Sequence, residues 1–283
     1  MLDFITVVFR DELPLLEIQA ESISQYINPE DISAITIVVN DNDDVGNLVD
    51  TAWWGINQNK VKIIPYSKWN YTSRINGWEN QQLLKLLAAS ESTSKWSMVL
   101  DAKTWFVQTL DINKLFDTEG RPNMGLCGIF TPFVSSQQFV EKLYNISMPN
   151  VIGPSGVPFV FHTETAQGLV DSVDNFIDFF QTSVRYPHLV TEFHLYSGYV
   201  LSKFGTYETL YNKTQYYSIC NISQWEVDNF DSLFNYILTT KDLLTASIHR
   251  KSYTLLSKEQ LQKWINFLRE RKLNCNNSIA SFC

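Results

Sequence analysis

Asp101 and Lys103 flank a single alanine directly after the apolar run Trp96-Ser97-Met98-Val99-Leu100. An acid that closes a buried strand can hold a cation or orient a basic group. A lysine two positions later is not a metal ligand while it carries charge. Turned inward, it replaces part of a metal's positive charge; turned outward, it is a surface lysine. Upstream lies Gly77-Trp78-Glu79-Asn80-Gln81-Gln82-Leu83-Leu84-Lys85-Leu86. Wound at about 100° per residue, it gathers Leu83, Leu84, Leu87 and Ala88 on one face and Trp78, Gln81, Gln82 and Lys85 on the other. A solvated face is the plain alternative. A tryptophan among paired carboxamides instead suits a ligand, with Lys85 meeting a phosphate or the carboxylate of Asp101.

Other candidates occupy the ends of apolar runs. Arg10 follows the first run, and Asn40 and Asp41 follow the second; such groups suit ribose hydroxyls and base edges, although Asn and Asp are also ordinary turn formers. His249-Arg250 follows Leu243–Ile248, a place for a phosphate contact or a metal ligand. Glu192 and Tyr196 pair a carboxylate with a phenol at i, i+4 spacing, where a first-turn Glu is also favoured by the helix dipole alone. His162, after Phe159-Val160-Phe161, is either structural or part of a site.

The elements that must position these groups alternate. Phe4–Phe9 is a β-branched run fit for a buried strand, and a helical pattern follows from Glu12 to Asn28, where Pro29 stops it. Ala34–Val39 is a second strand ending in a turn at Asn40–Asp44, Leu48–Asn57 a helix, and Val61–Ile64 a third strand. A loop over Tyr66–Ile75 precedes the Trp78 helix, and Met98–Leu100 is the fourth strand. Strands alternating with helices imply right-handed crossovers and a mostly parallel sheet covered on both faces. The second half is less regular: a strand at Gly125–Phe130, a helix at Gln137–Tyr144, a loop at Asn150–Pro158, a strand at Phe159–Phe161 and a helix at Thr163–Gln181. Thr191 caps a helix running to about Lys203, and Lys258–Arg271 is the last helix. In an open α/β sheet, ligands sit beyond the carboxyl ends of the strands, so the ends at Arg10, Asn40 and Asp101 fall together.

Composition narrows the function. Hydrophobic residues are 45% and charged residues 18% of the 283, which is globular. A net charge of −8 argues against general nucleic-acid binding while permitting a local basic pocket. Aromatic residues reach 14%, more than core filling requires, so some line a pocket or an interface. No apolar run approaches a membrane span. The N-terminal residues lack a basic start and a cleavage site, and four scattered cysteines form no Cys-x-x-Cys pair, so a cytoplasmic protein with free thiols is expected. The absence of a Gly-rich phosphate loop, a His-Glu-x-x-His motif and a serine elbow disfavours kinases, zinc proteases and common hydrolases.

Taken in order, Gly77-Trp78…Gln81-Gln82…Lys85, Val99-Leu100-Asp101, Thr191-Glu192-Phe193…Tyr196 and Ile248-His249-Arg250 resemble a family of bacterial and phage proteins assigned to the A-type (GT-A) glycosyltransferases. The resemblance spans Asp3 to Arg250. It implies a nucleotide-binding α/β fold with a mostly parallel central sheet flanked by helices and a decorated C-terminal half. On that expectation residues 1–271 form one domain, 1–110 its nucleotide-binding half and 111–271 its acceptor-side half, with 272–283 a tail. It further implies transfer of a sugar from a nucleotide-sugar to a glycan or other hydroxyl acceptor, usually with Mn²⁺ or Mg²⁺. Asp101 would be the first acid of an Asp-x-Asp, His249 a histidine near the diphosphate, and Glu192 the acceptor-side base beside Tyr196 and His162. Lys103 stands where a second metal-binding Asp is expected. That leaves metal-independent transfer, weak metal binding through Asp101 and His249, or a non-catalytic glycan- or nucleotide-binding protein.

Overall fold

Leu2–Val8 (β1) is buried along its whole length, as a run without polar alternation requires. The computed structural model describes residues 1–40, 43–69, 76–154, 156–273 and 279. After β1, a 3₁₀ turn at Arg10–Glu12 leads into α1 (Leu13–Tyr26), which has Pro14 in its first turn, where a missing N–H costs nothing. The chain continues through β2 (Ile32–Val39), β3 (Val61–Pro65), α2 (Gly77–Ser90) and β4 (Trp96–Asp101). The second half holds β5 (Thr104–Phe106), α3 (Ile112–Leu115), β6 (Leu126–Gly128), α4 (Val134–Tyr144), β7 (Asn150–Ile152) and β8 (Phe159–His162). It ends with α5 (Thr163–Asp171), α6 (Phe176–Ser183), α7 (Glu192–Phe204), β9 (Ser218–Ile222), α8 (Phe230–Thr239), β10 (Leu243–Ile248) and α9 (Lys258–Glu270).

The central sheet has the order β3-β2-β1-β4-β8. Its first four strands are parallel, and β8 runs antiparallel beside β4. The fold is therefore the expected mixed α/β with a mostly parallel sheet. A second sheet, β5-β10-β9, begins where the chain turns back after Asp101. α1 serves both layers: Leu16, Ala20 and Ile23 enter the main core, while Leu15 and Ile18 enter a second cluster around Trp105 and Trp264. No helix among the described residues is long and apolar enough to cross a membrane.

Several local expectations change. The helix expected at Leu48–Asn57 is instead 3₁₀ structure over Thr51–Lys60, broken at Gly55 (φ +51°), where a Cβ would lie 2.8 Å from Ser24 Oγ. The helix expected at Thr163–Gln181 splits into α5 and α6, because Asn175 adopts a left-handed conformation at the start of α6. Part of the loop expected at Asn150–Pro158 is a strand, β7, paired with β6. Tyr71 and Arg74 of the Tyr66–Ile75 loop, and nearly all of the segment after 273, lie outside the described residues.

α7, which carries Glu192, packs against α4 at a close approach. A Cβ on Gly198 would sit 2.1 Å from Val140 Cγ1. Gly198→Ala gains up to about 1 kcal/mol of helix propensity. The forced shift of two buried helices costs more, about 1–3 kcal/mol. The substitution is therefore expected to lower the urea midpoint; a stability equal to or above that of the natural protein would refute the close approach.

Candidate active site

The carboxyl ends of the strands converge as the topology requires. Asp101 closes β4 opposite Val7 of β1, and the Ala102-Lys103 turn sends the chain back into the second sheet. Lys103 Nζ lies 2.6 Å from Asp101 Oδ2, and Lys85 Nζ, from α2, lies 2.7 Å from Asp101 Oδ1. Lys85 also reaches Glu192 Oε1, at the start of α7, at 3.2 Å. Gln82, one turn before Lys85, turns its amide nitrogen to the same Glu192 carboxylate. The Lys85 ammonium further lies 5.5 Å from the Phe193 ring centre. The polar side of α2 is therefore not solvated: Gln81, Gln82 and Lys85 are buried, and Trp78, 45% exposed, marks the rim.

Burial would pull the Lys85 ammonium down, but Asp101 and Glu192 more than offset this and hold it above the usual lysine range. Burial likewise pushes Asp101 up, and Lys103 and Lys85 outweigh it, leaving an ionised carboxylate well below the ordinary range. Glu192 moves the other way: it has no exposed surface, and Lys85 only partly offsets its burial.

A cleft of about 700 Å³ opens above this cluster and brings together Lys85, Asp101, Lys103, His249 and Arg250. Among the described residues, Lys251 and Glu12 complete its charged lining, so the cations Lys85, Lys103, Arg250 and Lys251 outnumber the acids there in a chain that is acidic overall. Phe9, Trp78, Phe133 and Phe193 supply its apolar walls. His249 caps the 3₁₀ turn Arg250–Ser252, its Nδ1 accepting from the Lys251 amide at 3.3 Å. The proton of the neutral ring is thus on Nε2. Burial first, then Lys103, Lys251 and Arg250, push this imidazole down to about 4. The Arg250 guanidinium lies 5.0 Å from the Phe9 ring centre and pairs with Asp11. Asn40 also lines the cleft, but its side chain is committed: Nδ2 donates to the Gly77 carbonyl at 2.7 Å, and Oδ1 accepts from Asn80 Nδ2 at 2.6 Å. Gln81 Nε2 donates to the Val7 carbonyl at 3.3 Å.

Other candidates are not in the cleft. Arg10 is exposed, because the 3₁₀ turn after β1 rotates it outward while Glu12 turns inward. Asp41 lies outside the described residues. Glu192 is held beneath the cleft by Lys85 and Gln82 and does not line it, so its carboxylate is not open to the cleft. His162 pairs with Trp96, the amino end of β4, because β8 is antiparallel; that places it at the far end of the sheet from Asp101. Its ring packs on Trp96 and its Nδ1 lies 2.9 Å from Thr165 Oγ1. Tyr196 is buried, its hydroxyl accepting from the His162 amide and paired with Tyr211.

The residues present do not fit a divalent cation. Ammonium groups engage both oxygens of Asp101, and the position that would supply a second acid is Lys103. Among the described residues, no cluster of three His, Cys, Asp or Glu side chains could hold a metal ion. Sequence inspection missed Glu12, Phe133, His194, Gln224 and Lys251 in the lining. Of these, only Glu12 and Lys251 carried a signal, each lying three residues beyond an apolar run read from the sequence, Phe4–Phe9 and Leu243–Ile248.

A buried ion pair that loses one partner leaves an uncompensated charge, costing about 3–5 kcal/mol. Lys85→Met is expected to lose that much in urea unfolding. Adding Glu192→Gln should recover part of it, with a coupling of about 0.5–3 kcal/mol; strict additivity would show that Lys85 and Glu192 do not interact.

Solved structures similar in fold include the galactosyltransferase LgtC in complex with donor and acceptor sugar analogs, at 10% identity and a TM-score of 0.47, covering 95% of this chain and 100% of that one. Mouse xyloside xylosyltransferase 1 aligns at 10% identity and a TM-score of 0.43, over 87% of this chain and 97% of its own. The glycosyltransferase GlyE of Streptococcus pneumoniae TIGR4 aligns at 10% identity and a TM-score of 0.49, over 99% of this chain and 63% of its own. At scores below 0.5, these likenesses do not bear on what the cleft binds. No curated protein matches the chain significantly. The model of the Family of unknown function (DUF6492) matches residues 5–233, a span that holds Glu12, Lys85, Asp101, Lys103 and Glu192 and stops short of His249; the chain belongs to that family.

Proposed function

We propose that the cleft binds the diphosphate of a nucleotide-sugar and that the protein transfers the sugar to a glycan or other hydroxyl acceptor without a metal ion. The observation that carries this is the place of Lys103: its ammonium is bound to Asp101 at the end of β4, in a cleft whose other cations among the described residues are Lys85, Arg250 and Lys251. In the transfer, the acceptor oxygen bonds to the anomeric carbon as the bond from that carbon to the diphosphate oxygen breaks, and the acceptor's hydroxyl proton passes to the departing diphosphate and on to solvent. Negative charge builds on the departing diphosphate. Lys103, Arg250 and Lys251 offset it, and the Nε2–H of neutral His249 is a further donor. Groups fixed before the reaction, in a site partly shielded from water, stabilise such charge without reorganising.

Asp101 has a positioning part. As a part-buried carboxylate it holds Lys103 on one oxygen and Lys85 on the other, so the cation that faces the ligand cannot relax toward solvent. Phe9, Phe133 and the half-exposed Trp78 offer apolar faces on which a sugar or a base can be oriented. Glu192 contributes through Lys85, not as the base proposed from its sequence position.

Nucleoside diphosphate release from UDP-, GDP- and TDP-sugars, with an array of glycan acceptors, is the direct test. Turnover is expected to persist in EDTA. Lys103→Ala should lower kcat by about 10²–10³, the usual cost of one preorganised donor. Lys103→Asp, which creates an Asp-x-Asp, should make the residual rate depend on Mn²⁺. Loss of activity on chelation in the natural protein would refute the lysine's part, and binding of nucleotide-sugar with no turnover would favour a non-catalytic glycan- or nucleotide-binding protein.

A further inference from the structure

Glu12 has no part in the chemistry above, yet it lines the same cleft. It closes the 3₁₀ turn after β1 and occupies the cap position of α1 without bonding to that helix's amides. Only 5% of it is exposed, and among the described residues its Oε2 has no hydrogen-bond partner. A buried carboxylate oxygen without a donor is costly, and the cost falls on the charged form. Among the described residues, the charges that act on it are those of Lys103 and Asp101 at the β4–β5 turn, Arg250 beyond β10, and Lys85 on α2. Burial raises its proton affinity and outweighs the attraction of Lys103, Arg250 and Lys85, so the carboxyl is pushed up to about 7. The two imidazoles of the cleft do not share this window. His249 and His194 are both pushed down to about 4, in each case first by burial.

We propose that Glu12 couples occupancy of the cleft to proton uptake: a diphosphate enters together with a proton on the Glu12 carboxyl, which then donates a hydrogen bond and no longer opposes the ligand's charge. This rests on the cleft taking a nucleotide-sugar diphosphate. Such a ligand competes for Lys103 and Arg250, the cations that otherwise favour ionised Glu12, and adds negative charge beside it. Both effects raise the carboxyl's proton affinity. The proton comes from solvent on binding and returns to it when the diphosphate departs. The sign follows from linkage: with the free carboxyl titrating at about 7, affinity is full below that pH and falls as pH rises, by up to tenfold per unit, until the pH passes the bound-state value.

Titration calorimetry on the full chain tests this, using UDP-glucose, or GDP-mannose if only guanine binds. Neither probe carries a phosphate that titrates in this range. Measured in two buffers of different ionisation enthalpy, the natural protein is expected to take up about half a proton per ligand at pH 7 and more at pH 8. Between those pH values its affinity should fall several-fold. Glu12→Gln, a permanently neutral isostere, should take up none, bind equally at both pH values, and bind more tightly than the natural protein at pH 8. Carbon-13 spectra of the Glu12 carboxyl in the unmodified protein give a check free of mutation: a midpoint near 7 that rises on adding ligand is expected. A midpoint below 5, or proton uptake unchanged by Glu12→Gln, would overturn the role of Glu12 alone. Failure of both nucleotide-sugars to bind would remove the diphosphate site and this proposal together.

Discussion

The Lys85 ammonium, buried between Asp101 and Glu192, is the constraint on which the site depends. A charge this far from water is tolerated only when counter-charges meet it at hydrogen-bond distance. Meeting that demand ties together three separate parts of the chain: the middle of α2, the end of β4 and the first turn of α7. Gln82 reaches the same carboxylate, so residues one turn apart on α2 serve one purpose. Asp101 then has one oxygen left, and Lys103 takes it. The floor of the cleft is in this sense an ion-pair chain, and its outer, part-exposed end is a lysine.

The walls follow from how the strands are ordered. β1, β2 and β4 are neighbours and parallel, so the residues after them, Glu12, Asn40 and Lys103, reach the same opening. β10 belongs to the second sheet, but its carboxyl end delivers His249, Arg250 and Lys251 to that opening as well. Arg250 joins the two sheets by lying over Phe9 and pairing with Asp11. The start of α2 is fixed to the end of β2 by Asn40, which bonds both Gly77 and Asn80. Glu79 closes a capping box with Asn76. Asn80 and Glu79 thus both have structural uses at the helix start.

What was legible in the sequence depended on the range of the interaction. The apolar runs of β1, β2 and β10 and the capping of α7 by Thr191 rest on neighbouring residues, and these elements formed where periodicity placed them. The polar face of α2 was visible too, but not its surroundings: a Gln-Gln-x-x-Lys face looks the same whether water or a buried carboxylate lies opposite. β9 and α8 were missed, and Gly55 and Asn175 broke helices that composition alone would have continued.

The residue types that make the cleft basic, the acid at the end of a buried strand and the lysine in place of a second acid were all determined by the sequence itself. Their relations were decided by tertiary structure. The antiparallel pairing of β8 sent His162 to the wrong end of the sheet. One 3₁₀ turn exchanged Arg10 for Glu12 at the opening, and the seating of α7 against α2 turned Glu192 from a surface carboxylate into a buried counter-ion. Local periodicity carries no record of strand direction or of how deeply a charge is buried, and proton affinity follows from that depth and from partners distant in the chain.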